Sequence, residues 1–232
     1  IASIAASGRS AGKTYGEAVE GRWSQKISIP ANVSSLIVKN AEDVESVSKE
    51  VDFVFCAVDM DKEATKKLEE AYAKAETPVV SNNSAHRWTP DVPMVIPEIN
   101  DSHLEIIEKQ KARLGTKNGF IAVKPNCSIQ SYVPAVNALM QFKPEKIFTC
   151  TYQAISGAGK TFETWPEILD NVIPFISGEE EKSEREPLKI WGHVEGDRIV
   201  EAKSPVISAQ CIRVPVSDGH MAATFIKFEK KP

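Results

Sequence analysis

The sequence predicts an α/β protein with a doubly wound parallel sheet in its first half. In its second half it predicts a mixed or antiparallel sheet covered by helices on one face. Three observations carry this. Up to about residue 124, short apolar runs alternate with charged, helix-like segments, the pattern of βαβ units. From about residue 125 the strands lengthen and alternate apolar with polar side chains, as in a sheet with one solvated face. The composition, 42% hydrophobic and 26% charged over 232 residues, supplies core for one large domain or two modest ones.

In chain order, strands are expected at Ile1–Ala6, Leu36–Val38, Asp52–Val58, Pro78–Ser81 and Phe120–Val123, with helices at Asp61–Glu76 and Asp101–Leu114 among them. The domains are accordingly 1–124 and 125–232. The second opens near AVKPNCSIQSYVPAVNALMQF, residues 122–142, where Ile129, Tyr132, Val133, Val136, Leu139 and Met140 recur at the spacing of one buried helix face. One helix is expected there, capped by Asn126, with Cys127 in its first turn and a kink at Pro134. Unpaired N–H groups and the helix dipole favour a thiolate in that position. A pKa of ~6 would leave most of the sulfur nucleophilic at neutral pH; an inert buried cysteine is the competing reading. Further on, Glu163–Ile176 reads as a helix with Pro166 in its first turn, Gly178–Glu186 as a charge cluster and Leu188–Ile199 as a polar excursion. Lys146–Ile155, Val206–Val216 and His220–Phe228 read as the longer strands.

Several function classes drop out. A formal net charge of −4 with the signs interspersed gives no footprint for nucleic acid or an anionic membrane. No apolar run approaches the length of a membrane span. Cys56, Cys127, Cys150 and Cys211 are widely spaced, without a C-x-x-C pair or a histidine at ligand spacing, so free thiols, no zinc and a cytoplasmic setting are expected. The opening IASIAA has no Met and no charged leader and reads as an interior strand, so residues upstream of Ile1 are expected.

SGRSAGKT (Ser7–Thr14) and AISGAGKT (Ala154–Thr161) mimic a phosphate-cradling P-loop, but Ser7 and Ala154 stand where its first glycine must turn. VDFVFCAVD imitates the strand that presents a magnesium-binding aspartate, so a P-loop ATPase is a rival reading. A dinucleotide reading uses the same residues differently. Ser7, Arg9, Ser10 and Lys13 follow a strand with no acid until Glu17, which suits the 2′-phosphate of NADP. No G-x-G-x-x-G is present, so that reading requires a strand and glycine turn before Ile1. Elsewhere, CIRVPVSDGH sets Arg213 and His220 seven apart, and GEEEKSEREP sets Glu179 and Lys182 on one helix face. YQAISGAGKT places Gln153 before a glycine-rich turn, and the loop after Pro78–Ser81 carries Arg87 at an end of the sheet where ligands bind. His86, His103 and His193 read as structural.

Six motifs, SGRSAGK, the loop around Arg87, PNCS, TYQAISGAGK, EEEK and RVPVSDGH, run in order across essentially the whole chain. Together they resemble the aspartate-semialdehyde dehydrogenase family, in the branch found in archaea, fungi and some bacteria. The resemblance implies a Rossmann-type NADP-binding domain joined to an α+β catalytic and dimerisation domain of the glyceraldehyde-phosphate dehydrogenase kind, assembled as a homodimer or homotetramer. It implies NADPH-dependent reductive dephosphorylation of aspartyl 4-phosphate to aspartate 4-semialdehyde through a cysteine thioester, a step toward lysine, threonine and methionine. By the same resemblance Cys127 is the nucleophile, His220 the acid/base, and Gln153 orients the thioester. Arg213 and Glu179 hold the substrate carboxylate and amine; Arg87 and Lys182 bind phosphate, with Asn126 beside them. Ser7, Arg9 and Ser10 face the 2′-phosphate, while Ser156 and Gly157 approach the nicotinamide.

The departures from the family pattern are the missing glycine-rich first turn, the missing helix after FEKKP, and KPNCSIQ in place of the more usual PNCST. The same scaffold also serves malonyl-CoA reductase and N-acetyl-glutamyl-phosphate reductase, and an inactive, cofactor-free fragment is a further alternative. Arg213 with Glu179 favours an amino-acid substrate, because a zwitterion needs both charges.

Overall fold

In the computed structural model, which describes residues 1–23 and 25–232, the chain divides into two units. One comprises Ile1–Val92 with Ile107–Val123, the other Pro93–Ile106 with Lys124–Pro232.

The first unit carries strands β1 (Ile4–Ala6), β2 (Val38–Asn40), β3 (Val54–Cys56), β4 (Val79–Ser81) and β5 (Ile121–Val123). All their pairings are parallel, as the βαβ texture predicts, but they form two pieces, β1-β2 and β3-β4-β5. Its helices are α1 (Tyr15–Ala18), α2 (Ala31–Ser34), α3 (Val44–Ser48) and α4 (Lys62–Lys74). After α5 (Pro97–Asn100), which belongs to the second unit, α6 (Ile107–Leu114) returns to the first. The helix expected over Asp101–Leu114 is therefore a 3₁₀ stretch, Asp101–Ile106, followed by α6. Helix α4 shows why these segments fold as they do. The Asp61 carboxylate accepts the Glu63 and Ala64 N–H groups, while Leu68, Tyr72 and Ala73 form the buried stripe. A cavity of about 500 Å³ lies against β1 and β3, lined by Ile1, Phe53, Cys56, Glu69 and Tyr72 among others.

The second unit is built on β6 (Pro144–Gln153), β9 (Val206–Arg213) and β10 (Met221–Phe228) in the order β10-β6-β9. The sheet is mixed: β6 runs antiparallel to β10 and parallel to β9. Ile147 and Ile207 point to one face, where they join Ile129, Val133 and Val136 of the segment leading through α7 (Val133–Asn137), and Ile190 of α8 (Glu179–Ile190). Ile96, just before α5, completes this core, which is why residues 93–106 belong here. The opposite face stays in solvent, with Phe148, Val206, Met221 and Phe225 exposed.

Three sequence expectations fail in this unit. The run 122–142 is not one helix but a 3₁₀ turn (Ile129–Ser131), α7, and a second 3₁₀ turn (Met140–Phe142). Cys127 therefore lies in the turn before them, not in the first turn of a long helix. Pro134 is the physical reason: without an N–H it cannot continue the ladder from the preceding turn, and it sits at the start of α7 instead of kinking a helix interior. Glu163–Ile176 contains only a 3₁₀ turn, Pro166–Ile168, because Leu169 turns extended and Asp170 left-handed (φ 55°) immediately after it. The stretch Leu188–Ile199 is no loose excursion; it finishes α8 and enters the hairpin of β7 (His193–Glu195) and β8 (Arg198–Val200).

Helix α8 tolerates a proline in its interior, and the sequence shows how once the fold is known. Pro187 cannot donate to the carbonyl of Ser183, four residues back. That buried oxygen instead accepts the Tyr132 hydroxyl at 2.8 Å.

Candidate active site

Sheet register gathers distant motifs at one edge of the second unit. Gln153 ends β6 and pairs in register with Arg213, which ends β9, while His220 immediately precedes β10, whose Met221 pairs with Tyr152. Against this edge stands the start of α8, which carries Glu179 and Lys182 and packs along β9.

Cys127 is the exposed cysteine; Cys56 and Cys211 are buried and Cys150 half-buried, and all four are free thiols. Its neighbours are the reverse, with Asn126 at 5% and Ser128 at 0% exposure. The chain thus presents one sulfur from an immobilised turn. Cys127 Sγ lies 3.2 Å from His220 Nε2. The other ring nitrogen, Nδ1, accepts the Ala154 backbone N–H at 3.1 Å. With Nδ1 acting as acceptor, the neutral ring carries its proton on Nε2, so Nε2–H points at the sulfur. Burial lowers the His220 pKa, and the nearby Arg213 charge lowers it further, so the ring stays neutral through neutral pH.

Asn126 organises the turn. Its Oδ1 accepts from Ser128 N (2.8 Å) and Ser128 Oγ (2.7 Å), and its Nδ2 donates to both oxygens of Glu179. Glu179 also accepts Gln153 Nε2 (3.2 Å) and Lys182 Nζ (2.7 Å). Burial alone would raise the Glu179 pKa, but the Lys182 ammonium and the amide donors outweigh it and hold the carboxyl below its ordinary range. Arg213 is buried, and its Nη1 donates to the Ala154 carbonyl at 2.7 Å. Desolvation lowers its pKa, opposed by the Glu179 charge. A guanidinium and a carboxylate thus stand near one thiol, the charge pattern that complements a zwitterion.

Ser156 and Gly157 are exposed and lie in the 3₁₀ turn Ile155–Ala158 that follows β6. A Cβ on Gly157 would come within 2.9 Å of His220 Cε1 and 3.0 Å of Arg213 Nη1, so only glycine leaves that approach open. The remaining predicted residues belong to the first unit. Ser7, Arg9 and Ser10 form the turn after β1, closed by Ser10 N to Ser7 O at 2.9 Å, with Ser7 and Arg9 exposed. Glu17, the first acid after them, is engaged in a capping box with Thr14. Arg87 is buried in the loop after β4, where its Nη2 donates to the Asn82 carbonyl at 3.3 Å.

Sequence reasoning missed two groups at the site. One is the Ala154 N–H that sets the His220 tautomer, a backbone contact invisible to any motif. The other is Glu186, whose Oε2 accepts the Asn126 N–H at 2.6 Å. Its signal was the seven-residue interval from Glu179, two helical turns on one face, within a stretch read only as a charge cluster.

Comparison with known proteins matches two family models, one to each half of the chain. The semialdehyde dehydrogenase NAD-binding domain matches residues 1–107, and the semialdehyde dehydrogenase dimerisation domain matches 134–232. The aspartate-semialdehyde dehydrogenase of Archaeoglobus fulgidus is 41% identical over 100% of this chain and 65% of its own length. That of Aspergillus fumigatus is 38% identical over 99% of the chain and 63% of its own length. The solved structure of aspartate semialdehyde dehydrogenase with NADP from Candida albicans superposes with a TM-score of 0.85 at 34% identity, covering 100% of this chain and 65% of that one. The chain therefore spans about two-thirds of the length of the relatives it matches.

Proposed function

The chain belongs to the aspartate-semialdehyde dehydrogenase family, and from that premise we propose that it carries out the NADPH-dependent reduction of aspartyl 4-phosphate to aspartate 4-semialdehyde. The observation that carries this reading is the 3.2 Å contact of the exposed Cys127 sulfur with His220 Nε2. In the proposed reaction the Cys127 thiolate attacks the acyl carbon, the C–O bond to phosphate breaks, and phosphate leaves with the electron pair. The resulting thioester divides one difficult reduction into two steps. When bound, NADPH supplies the hydride that converts the thioester carbon to the aldehyde level. Nε2–H of His220 then faces the oxygen on which negative charge develops, and the collapse to aldehyde returns the thiolate. Arg213 grips the substrate carboxylate, Glu179 the amine, and Gln153 holds Glu179 and orients the acyl group. Lys182 and Arg87 are assigned to phosphate. Both an anion-binding and a cation-binding group are required for an amino-acid substrate, which favours this reading over an acyl-CoA substrate.

Two features fit the cofactor. Ser7, Arg9 and Ser10 offer a guanidinium and two hydroxyls with the nearest acid already engaged, a donor set for a 2′-phosphate. Gly157 leaves room against His220 where a Cβ would intrude. We assign residues 1–124 to cofactor binding and 125–232 to catalysis and dimerisation, and place the enzyme in the cytoplasm, where its free thiols persist. No helix among the described residues is long and apolar enough to cross a membrane. The partner is a second copy seated on the exposed sheet face. The test is phosphate-dependent NADP reduction by aspartate semialdehyde in the full gene product that carries this chain. Phosphate-independent turnover, or equal turnover with a semialdehyde lacking the amino group, would reject the assignment.

A further inference from the structure

We infer that Glu186 is a positioning residue for the nucleophile: its buried carboxylate holds the backbone N–H of Asn126, the residue before Cys127. The inference rests on the reading of Cys127 as nucleophile and goes beyond it by naming what aims the sulfur. Helix α8 meets the cysteine turn at points lying on one of its faces. At its start Glu179 accepts the Asn126 side-chain amide, one turn on the Ser183 carbonyl accepts the Tyr132 hydroxyl, and a further turn on Glu186 accepts the Asn126 backbone N–H. Seven residues of helix span about 10 Å, so carboxylates two turns apart converge on a single asparagine from opposite ends.

The two grips differ in what they fix. Glu179 holds a side chain, which leaves the backbone free to rotate; Glu186 holds the backbone itself, through the N–H of the Pro125–Asn126 peptide, one residue before Cys127. At 2.6 Å and with Glu186 only 1% exposed, this is a short bond in a dry environment. Its contribution is geometric. It keeps Cys127 exposed between two immobilised neighbours, at the separation from His220 that Nε2–H can span. A displacement of about 1 Å in such an arrangement costs about 10²-fold in rate.

The test uses Glu186→Ala, Glu186→Gln and Glu186→Asp in the full gene product, with two readouts. Alkylation of Cys127 by iodoacetamide needs neither substrate nor cofactor, so it reads the nucleophile even if the proposed substrate is wrong. Steady-state kinetics with aspartate semialdehyde, phosphate and NADP then separates kcat from KM. Glu186→Gln keeps an acceptor oxygen at the same reach and should retain kcat within about fivefold. Glu186→Asp keeps the charge but withdraws the acceptor; kcat should fall about 10- to 100-fold with KM nearly unchanged, and alkylation should slow with it. Glu186→Ala should match or exceed that loss. Should the alanine variant not fold, the Asp and Gln pair decides alone. If Asp keeps wild-type kcat and alkylation, or if Gln is as impaired as Asp, Glu186 merely stabilises α8 and the inference is overturned. Normal alkylation effects with no turnover in any form, wild type included, would instead reject the substrate reading and leave the positioning role standing.

Discussion

At the scale of single residues, chemistry is separated from inertness by exposure and by partners. Cys56 is buried, and desolvation pushes its thiol up to about 12; Cys211 is buried and raised for the same reason. Cys127 is exposed and faces a ring N–H. Iodoacetamide near pH 7 is therefore expected to modify Cys127 first, with Cys56 and Cys211 slow, as mapped by peptide mass spectrometry. Fast labelling of Cys56 would contradict the site. Arg213 and His220 lie close together, yet their substitutions should differ in kind. His220→Asn retains a polar group but cannot deliver a proton, so kcat should fall about 10²- to 10⁴-fold with KM little changed. Arg213→Lys keeps the charge but loses the two-pronged grip, so KM for aspartate semialdehyde should rise. Near-normal kcat in His220→Asn would make the RVPVSDGH motif structural.

At the scale of elements, α8 and the segment before α7 depend on each other. Pro187 leaves the Ser183 carbonyl without its helical donor, and Tyr132 supplies one from outside. Tyr132→Phe should accordingly destabilise the protein by about 1–3 kcal/mol, because a buried oxygen loses its partner. In a Pro187→Ala background the restored N–H can serve that carbonyl, and the cost of Tyr132→Phe should shrink by about 1 kcal/mol. A double-mutant cycle in urea measures this coupling; equal costs in both backgrounds would show that the hydroxyl and the proline are independent. The same reciprocity explains why the PNCS run and the EEEK run sit far apart in sequence yet form one site. Asn126 is held from α8, and α8 in turn leans on Tyr132.

At the scale of the whole molecule, the sheet of the second unit buries one face and leaves the other apolar and open. Phe148 and Phe225 are paired in register, at 56% and 74% exposure, and Val206 and Met221 extend the patch. This is the face proposed for the second copy. Phe225→Asp, alone or with Phe148→Asp, should shift the protein toward monomer in sedimentation velocity while leaving the circular dichroism spectrum unchanged. An unaltered sedimentation coefficient would place the interface elsewhere.

Local pattern alone carried much of this architecture. The parallel βαβ texture, the Asp61-capped helix and the three long strands are legible because burial periodicity and caps act over a few residues. The motif residues Cys127, Gln153, Glu179, Arg213 and His220 were visible as residue types in suggestive settings. That they meet was not legible, because strand register and helix placement, which join residues 26 to 93 apart, are set by packing across the whole unit. The single helix expected after Cys127 failed because apolar spacing says which residues are buried without saying whether the ladder between them is continuous, and Pro134 broke it. Helix α8 was legible only in part, as Glu179 and Lys182 sharing a helix face within a charge cluster; that it runs on through Pro187 depends on a tyrosine 55 positions earlier, which supplies the missing bond. The sequence by itself determined the elements and the chemistry available to them. Only the tertiary structure decided which backbone groups do the holding, the Ala154 N–H on His220 and the Asn126 N–H on Glu186, because backbone donors are identical in every residue but proline and acquire a role solely from what the fold places opposite them.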